Sequence, residues 1–178
     1  MTQPRDSYHQ LIDRLDVLHE GITAALGDAL TCSAGCSSCC LPISVFPVEA
    51  AAIIEAVLEL PAAEQAAIRQ ALENQHNPER CALLQNDRCL IYPLRPVICR
   101  THGLPLLVQE PEGDPTITVC PLNCVGMQSF TKETILDLER INQLLVAINP
   151  LFVTTTTQSW PERVALSDLG AYLCKPSP

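Results

Sequence analysis

Apolar residues recur at Leu11, Leu15, Leu18, Ile22, Leu26 and Leu30, while Asp13, Arg14, Asp16 and Glu20 fall between them. That three-and-four spacing predicts an amphipathic helix from about Ser7 to Leu30. Gly21 and Gly27 weaken it, and Gly35 offers a left-handed stop. Leu41–Pro47 reads as extended, since residues before proline avoid the helical region. Pro47 suits the first turn of a second helix to about Leu60, with Glu49 near its positive end, and Pro61 does the same for a third to about Asn74. Both are alanine-rich and carry no chemistry. His76-Asn-Pro-Glu breaks the pattern. The Asn86-Asp87 pair suits the tip of a tight hairpin between Cys81 and Cys89. Pro96 opens a helical turn bearing Cys99 and Arg100. Leu104–Val108 and Thr116–Cys120 read as two strands joined by a turn-rich polar loop. A further helical stripe runs through Ile135, Leu138, Ile141, Leu145 and Ile148 from about Thr131. Thr154–Thr157 reads as a spacer or short strand, and Ser159-Trp-Pro-Glu162 as a capping box before a short last helix.

The expected fold is therefore α-rich (α+β). It has four or five helices and a short hairpin, in one domain over residues 1–178 without internal repeats. A chain of 178 residues, 47% of them hydrophobic, can bury a core of its own. With only one Trp, three Tyr and three Phe, that core must be mostly aliphatic.

Charge narrows the function classes. Eleven basic and 20 acidic residues give a formal charge of −9, with no basic stretch, which argues against nucleic acid and anionic membranes as partners. The polar start MTQPRDSYHQ lacks an apolar signal core, and no apolar run approaches the ~18 residues of a membrane span. The expected location is the cytoplasm. In that reducing compartment ten cysteines point to metal or redox chemistry more than to disulfides.

The cysteines are grouped. Cys32, Cys36, Cys39 and Cys40 lie in one short run separated only by small residues, so the backbone can curl and aim several sulfurs at one point. A soft metal ion demands such a loop. Cys81, Cys89 and Cys99 form a second set, and Cys120 and Cys124 a third pair. Cys174 stands apart and reads as a small buried hydrophobe. Adjacent Cys39 and Cys40 project in different directions, which fits two sites better than one disulfide. Nine thiols exceed the four that one zinc takes. They would serve two zinc sites, an iron–sulfur cluster with a zinc, or a multinuclear centre with bridging thiolates.

Arg80, Arg88, Arg95 and Arg100 crowd the same region. Thiolate–metal centres carry negative charge that nearby guanidinium groups can offset. Arg95 and Arg100, which bracket Cys99, are assigned that role, with binding of an anionic substrate as the alternative; Arg80 and Arg88 read as ordinary surface charge. His102 is a candidate ligand or proton carrier, and Tyr92 reads as packing around the centre.

These cysteines, with Cys89-Leu-Ile-Tyr-Pro-Leu-Arg-Pro-Val-Ile-Cys-Arg100, resemble the YkgJ-like CxxCxxCC cysteine-cluster family. The matching positions are Cys81, Cys89, Ile91, Tyr92, Arg95, Pro96, Cys99 and Arg100, and the likeness spans roughly residues 32–125. One departure is that three residues, not two, separate Cys32 from Cys36. The resemblance implies a domain that chelates zinc or iron. Related clusters in flagellin lysine methylases imply an enzyme association. Two functions are therefore expected, beside a third, thiol–disulfide switching, that needs exposed cysteines of low pKa. One is a metal-binding protein holding Zn2+ or Fe through Cys32, Cys36, Cys39, Cys40, Cys81, Cys89, Cys99, Cys120 and Cys124. The alternative is a metal-dependent or redox enzyme acting on a protein side chain, with a protein partner. No serine triad, phosphate loop, dinucleotide fingerprint or catalytic carboxylate pair is present.

Overall fold

The computed structural model of the protein describes residues 3–33, 35–74, 77–110 and 112–173. In chain order these form α1 (Pro4–Leu26), β1 (Ser44–Val45), α2 (Pro47–Glu59), α3 (Ala62–Glu73), β2 (Leu84–Gln85) and β3 (Arg88–Cys89). There follow α4 (Val97–Thr101), β4 (Leu106–Val108), β5 (Thr116–Thr118), β6 (Leu136–Asp137), α5 (Leu138–Thr155), β7 (Val164–Ala165) and α6 (Gly170–Leu173). Helices dominate and the sheets are small, so the class is α+β. These elements fall into two compact units. The first runs to Ser33 and resumes over Val97–Ile148; the second holds the intervening stretch and everything described from Asn149 onward.

In the first unit, α1 begins earlier than its apolar stripe suggests. Pro4 needs no N–H partner in the first turn, and the Gln3 N–H donates to the Asp6 carboxylate at 3.3 Å. The helix also ends earlier, at Gly27 rather than Gly35, because Gly27 takes φ +50 and a short 3-10 turn follows. Tyr8, Leu11, Leu15 and Ile22 are buried on one face, whereas Leu18, at the edge of the stripe, is half exposed. That face meets α4 and the 3-10 turn Lys132–Thr134. The predicted strands appear as β4 and β5, paired antiparallel with Leu106 opposite Thr118. A third strand was not legible: β6 pairs parallel to β4, Leu106 opposite Leu136. It takes the start of the expected last long helix. That helix, α5, begins only at Leu138 and carries Pro150 within it.

In the second unit, α2 starts as expected at Pro47, and the Phe46 N–H donates to the buried Glu49 carboxylate at 3.0 Å. Its apolar residues Ile53, Ile54 and Val57 join Ile68 and Leu72 of α3, together with Leu83, Ile91, Leu166, Leu169 and Leu173, in one core. The extended stretch before Pro47 becomes β1, paired antiparallel with β7. The hairpin is as predicted. Leu84 faces Cys89 and Gln85 faces Arg88, and Asn86 and Asp87 take φ +50 and +59 at its tip, both left-handed as a two-residue turn requires. The capping box at Ser159 starts no helix. Trp160 instead stacks on Tyr172 with ring centroids 4.9 Å apart, and β7 and a 3-10 turn precede α6. Thr154 and Thr155, expected beyond the helix, close the last turn of α5 with hydroxyl bonds to Pro150 and Leu151 carbonyls at 3.0 Å.

Leu83 is 1% exposed and sits where the hairpin joins this core. Leu83→Ala is expected to lower unfolding free energy by about 2–5 kcal/mol. Leu18→Ala, on the exposed side of α1, should stay within ~0.5 kcal/mol. Urea denaturation followed by circular dichroism measures both.

Candidate metal centre

Nine cysteines lie among the described residues, none of them joined in a disulfide; Cys174 lies outside the described residues. The second unit holds Cys36, Cys39, Cys40, Cys81 and Cys89. Gly35 takes φ +107 and turns the chain into the Cys36–Cys40 run. The run then tightens on itself, with Cys40 N–H to the Ser37 carbonyl and Leu41 N–H to the Cys39 carbonyl, both 2.9 Å. The Cys81 N–H donates to the Cys40 carbonyl at 3.0 Å, which brings the run against the base of the hairpin.

Ser37 fastens the same two segments from the other end. Its hydroxyl donates to the Asp87 carboxylate at the hairpin tip, at 2.6 Å. The Arg80 guanidinium donates to the Ser37 carbonyl at 2.7 Å and to its hydroxyl oxygen at 2.8 Å. In the sequence Ser37 reads as a small spacer and Arg80 as surface charge. Their partners, Asp87 among them, are distant along the chain, so no local signal reveals the network.

The thiols so gathered feel one another. Burial pushes the Cys40 thiol up, and the nearby Cys89 and Cys81 sulfurs push it further, against the pull of Arg80 and a hydrogen bond from Cys39. Burial likewise raises Cys81 and Cys89. Each of those two sulfurs also receives a backbone N–H from two residues on, Leu83 for Cys81 and Ile91 for Cys89. Donors of this kind favour the ionised sulfur that a metal binds. Arg95 lowers Cys89 as well, and its guanidinium stacks 3.6 Å over the half-exposed ring of Tyr92. A cleft of about 360 Å³, lined by Gln70, Asn74, Asn77, Arg80 and Cys81 among others, opens beside the Cys81 thiol.

The first unit holds Cys32, Cys99, Cys120 and Cys124. Cys99 lies on α4 and is part-buried, and His102 is exposed just past the end of that helix. The Cys120–Cys124 loop closes with Asn123 N–H to the Cys120 carbonyl at 2.8 Å. It docks on the end of the α1 segment through Cys124 N–H to the Ala29 carbonyl at 2.6 Å. Cys124 itself is buried with φ +54, and burial raises its thiol. Arg100 turns its Nη1 to both carboxylate oxygens of Asp16, at 2.6 and 2.8 Å. That ion pair was not foreseen from sequence.

Among the described residues, no three Cys, His, Asp or Glu side chains already stand as a closed ligand set. The donor chemistry fits a soft ion: all-sulfur, N–H-supported and partly screened by arginine. Among the described residues, no helix is long and apolar enough to cross a membrane.

A small α+β chain whose thiols are drawn from distant segments into hydrogen-bonded loops defines a cysteine-cluster protein. The family described as "CxxCxxCC: Putative zinc- or iron-chelating domain" matches residues 31–125, and the chain belongs to it. No curated protein and no solved structure matches the chain.

Asp87→Gly tests the fastening of the cysteine run. Glycine keeps the left-handed turn but removes the acceptor for Ser37. Loss of that charge-assisted bond, worth roughly 1.5 kcal/mol, should speed exchange of the Cys40 and Cys81 amides about tenfold. Protection at β2 and β3 should hold. Hydrogen exchange read by NMR checks both.

Proposed function

We propose that the protein binds zinc or iron through clustered cysteine thiolates, with Cys40, Cys81 and Cys89, joined by Cys39, at the heart of one ligand set. The observation that carries the reading is the Cys81 N–H bond to the Cys40 carbonyl at 3.0 Å, which holds cysteines from either side of α2 and α3 against one another; a backbone N–H is also directed at each of the Cys81 and Cys89 sulfurs. Cys36 stands at the start of the same loop. Cys32, Cys99, Cys120 and Cys124 supply a further set of thiols in the other unit. The metal would bring the positive charge that lets neighbouring thiols ionise together. The protein's part is to hold the sulfurs close, to donate N–H groups to them, and to place Arg80 and Arg95 against their charge. Arg100 would steady α4, which bears Cys99, through its pair with Asp16. A reducing cytoplasm would keep such thiols available for metal.

Protein purified without oxygen from cells grown with both zinc and iron should carry at least about one metal per chain, since a four-sulfur site takes one ion. Elemental analysis reads this directly, and a substantially lower content overturns the proposal. Under chelator challenge Cys81→Ser and Cys89→Ser should each lose metal at least about tenfold faster. Arg69→Ala, on α3, should match the parent.

A further inference from the structure

Asn123 lies within the Cys120–Cys124 loop and is 2% exposed. Its side chain is used at both ends. The Oδ1 atom accepts from the Thr31 N–H and from the Thr31 hydroxyl, each at 3.0 Å. The Nδ2 group donates to the Gly103 carbonyl at 2.7 Å and to Cys32 Sγ at 3.2 Å. The amide has only one workable orientation. Reversed, it would set a carbonyl oxygen against the Gly103 carbonyl and an NH2 group against the Thr31 N–H. A donor therefore faces the Cys32 sulfur.

Gly103 supports the same arrangement from a second direction. It adopts φ +98, and a Cβ there would stand 2.8 Å from Cys32 Sγ and 3.2 Å from Asn123 Nδ2. Glycine thus preserves the space in which the sulfur meets the amide. A neutral thiol is a weak acceptor, whereas hydrogen bonds to an ionised group are shorter and roughly twice as strong. Cys32 is also exposed, so an ion arriving from solvent can reach it.

Resting on the metal-thiolate reading above, we propose that Asn123 is a positioning residue for a metal ligand. Its Nδ2 group orients the Cys32 sulfur and supports its charge when metal is bound, and Gly103 keeps the room this needs. The irregular three-residue spacing between Cys32 and Cys36 then has a local reason: Cys32 is placed by Asn123 and Gly103, not by the turn that places Cys39 and Cys40.

Two measurements on the full chain test this. In metal-free 15N-labelled protein, Cys32→Ala should shift the Asn123 Nδ2 proton that faces sulfur while its partner on the Gly103 carbonyl stays put. Unmoved Asn123 side-chain signals overturn the proposal whatever the metal does. With Co2+ as probe, Asn123→Asp keeps the acceptors for Thr31 but removes the donor. It should weaken Co2+ binding about 10–100-fold and reduce the sulfur-to-cobalt charge-transfer band as Cys32→Ala does. Thr31→Ala, which loosens the other end but leaves the donor, should stay within about threefold of the parent, well below that range. A parent chain that shows the band alongside an Asn123→Asp variant that matches it overturns this inference alone. A parent chain with no such band overturns the metal reading and this inference with it. If Asn123→Asp does not fold, the Cys32→Ala shift decides.

Discussion

The second unit depends on bringing the Cys39–Cys40 run to the Cys81–Cys89 hairpin across some forty residues of chain. Closing a loop of that length costs about 3 kcal/mol in chain entropy before any constant term. The single backbone bond from Cys81 to Cys40 returns only ~1 kcal/mol. The difference is met by packing. α2 and α3 occupy the intervening stretch, and their apolar faces share a core with Leu83, Ile91 and the segment from Leu166 to Leu173. The helices thus have no chemistry of their own, yet they set the positions of the thiols. Ser37, Asp87 and Arg80 then fix the cysteine run against the hairpin with charge-assisted bonds.

Gathering thiols in this way has an electrostatic consequence. Burial and mutual repulsion both disfavour ionised sulfur at Cys40 and Cys89, and N–H donors and arginines only partly compensate. A cation among them would relieve the conflict. The first unit handles its thiols differently. Cys32 is held by a buried amide and a glycine, and Cys124 by a left-handed backbone bonded to Ala29.

The elements that were legible in sequence are those decided locally. The Asn86-Asp87 turn, the proline-started α2, the helical turn after Pro96 and the β4–β5 pair follow from residue chemistry within a few positions. The missed features depend on tertiary partners. β6 exists because Leu136 pairs with Leu106, which nothing between Thr131 and Leu138 announces. α1 stops at Gly27, where φ turns positive and a 3-10 turn follows; Gly35 also has positive φ, and sequence does not rank the two. The same divide holds at the site. The cysteines and the Arg95–Pro96–Cys99–Arg100 stretch were visible as a pattern. Ser37, Arg80, Asp87, Gly103 and Asn123 are defined by contacts to distant residues, and a serine or an asparagine between cysteines looks like filler.

If clustered sulfur holds the metal, sulfur will be the ion's nearest neighbour. X-ray absorption at the zinc and iron edges of the purified protein tests it most directly. The expected spectrum shows neighbours that are mainly sulfur, at about 2.3 Å if the ion is zinc. A first shell of nitrogen and oxygen alone would contradict it.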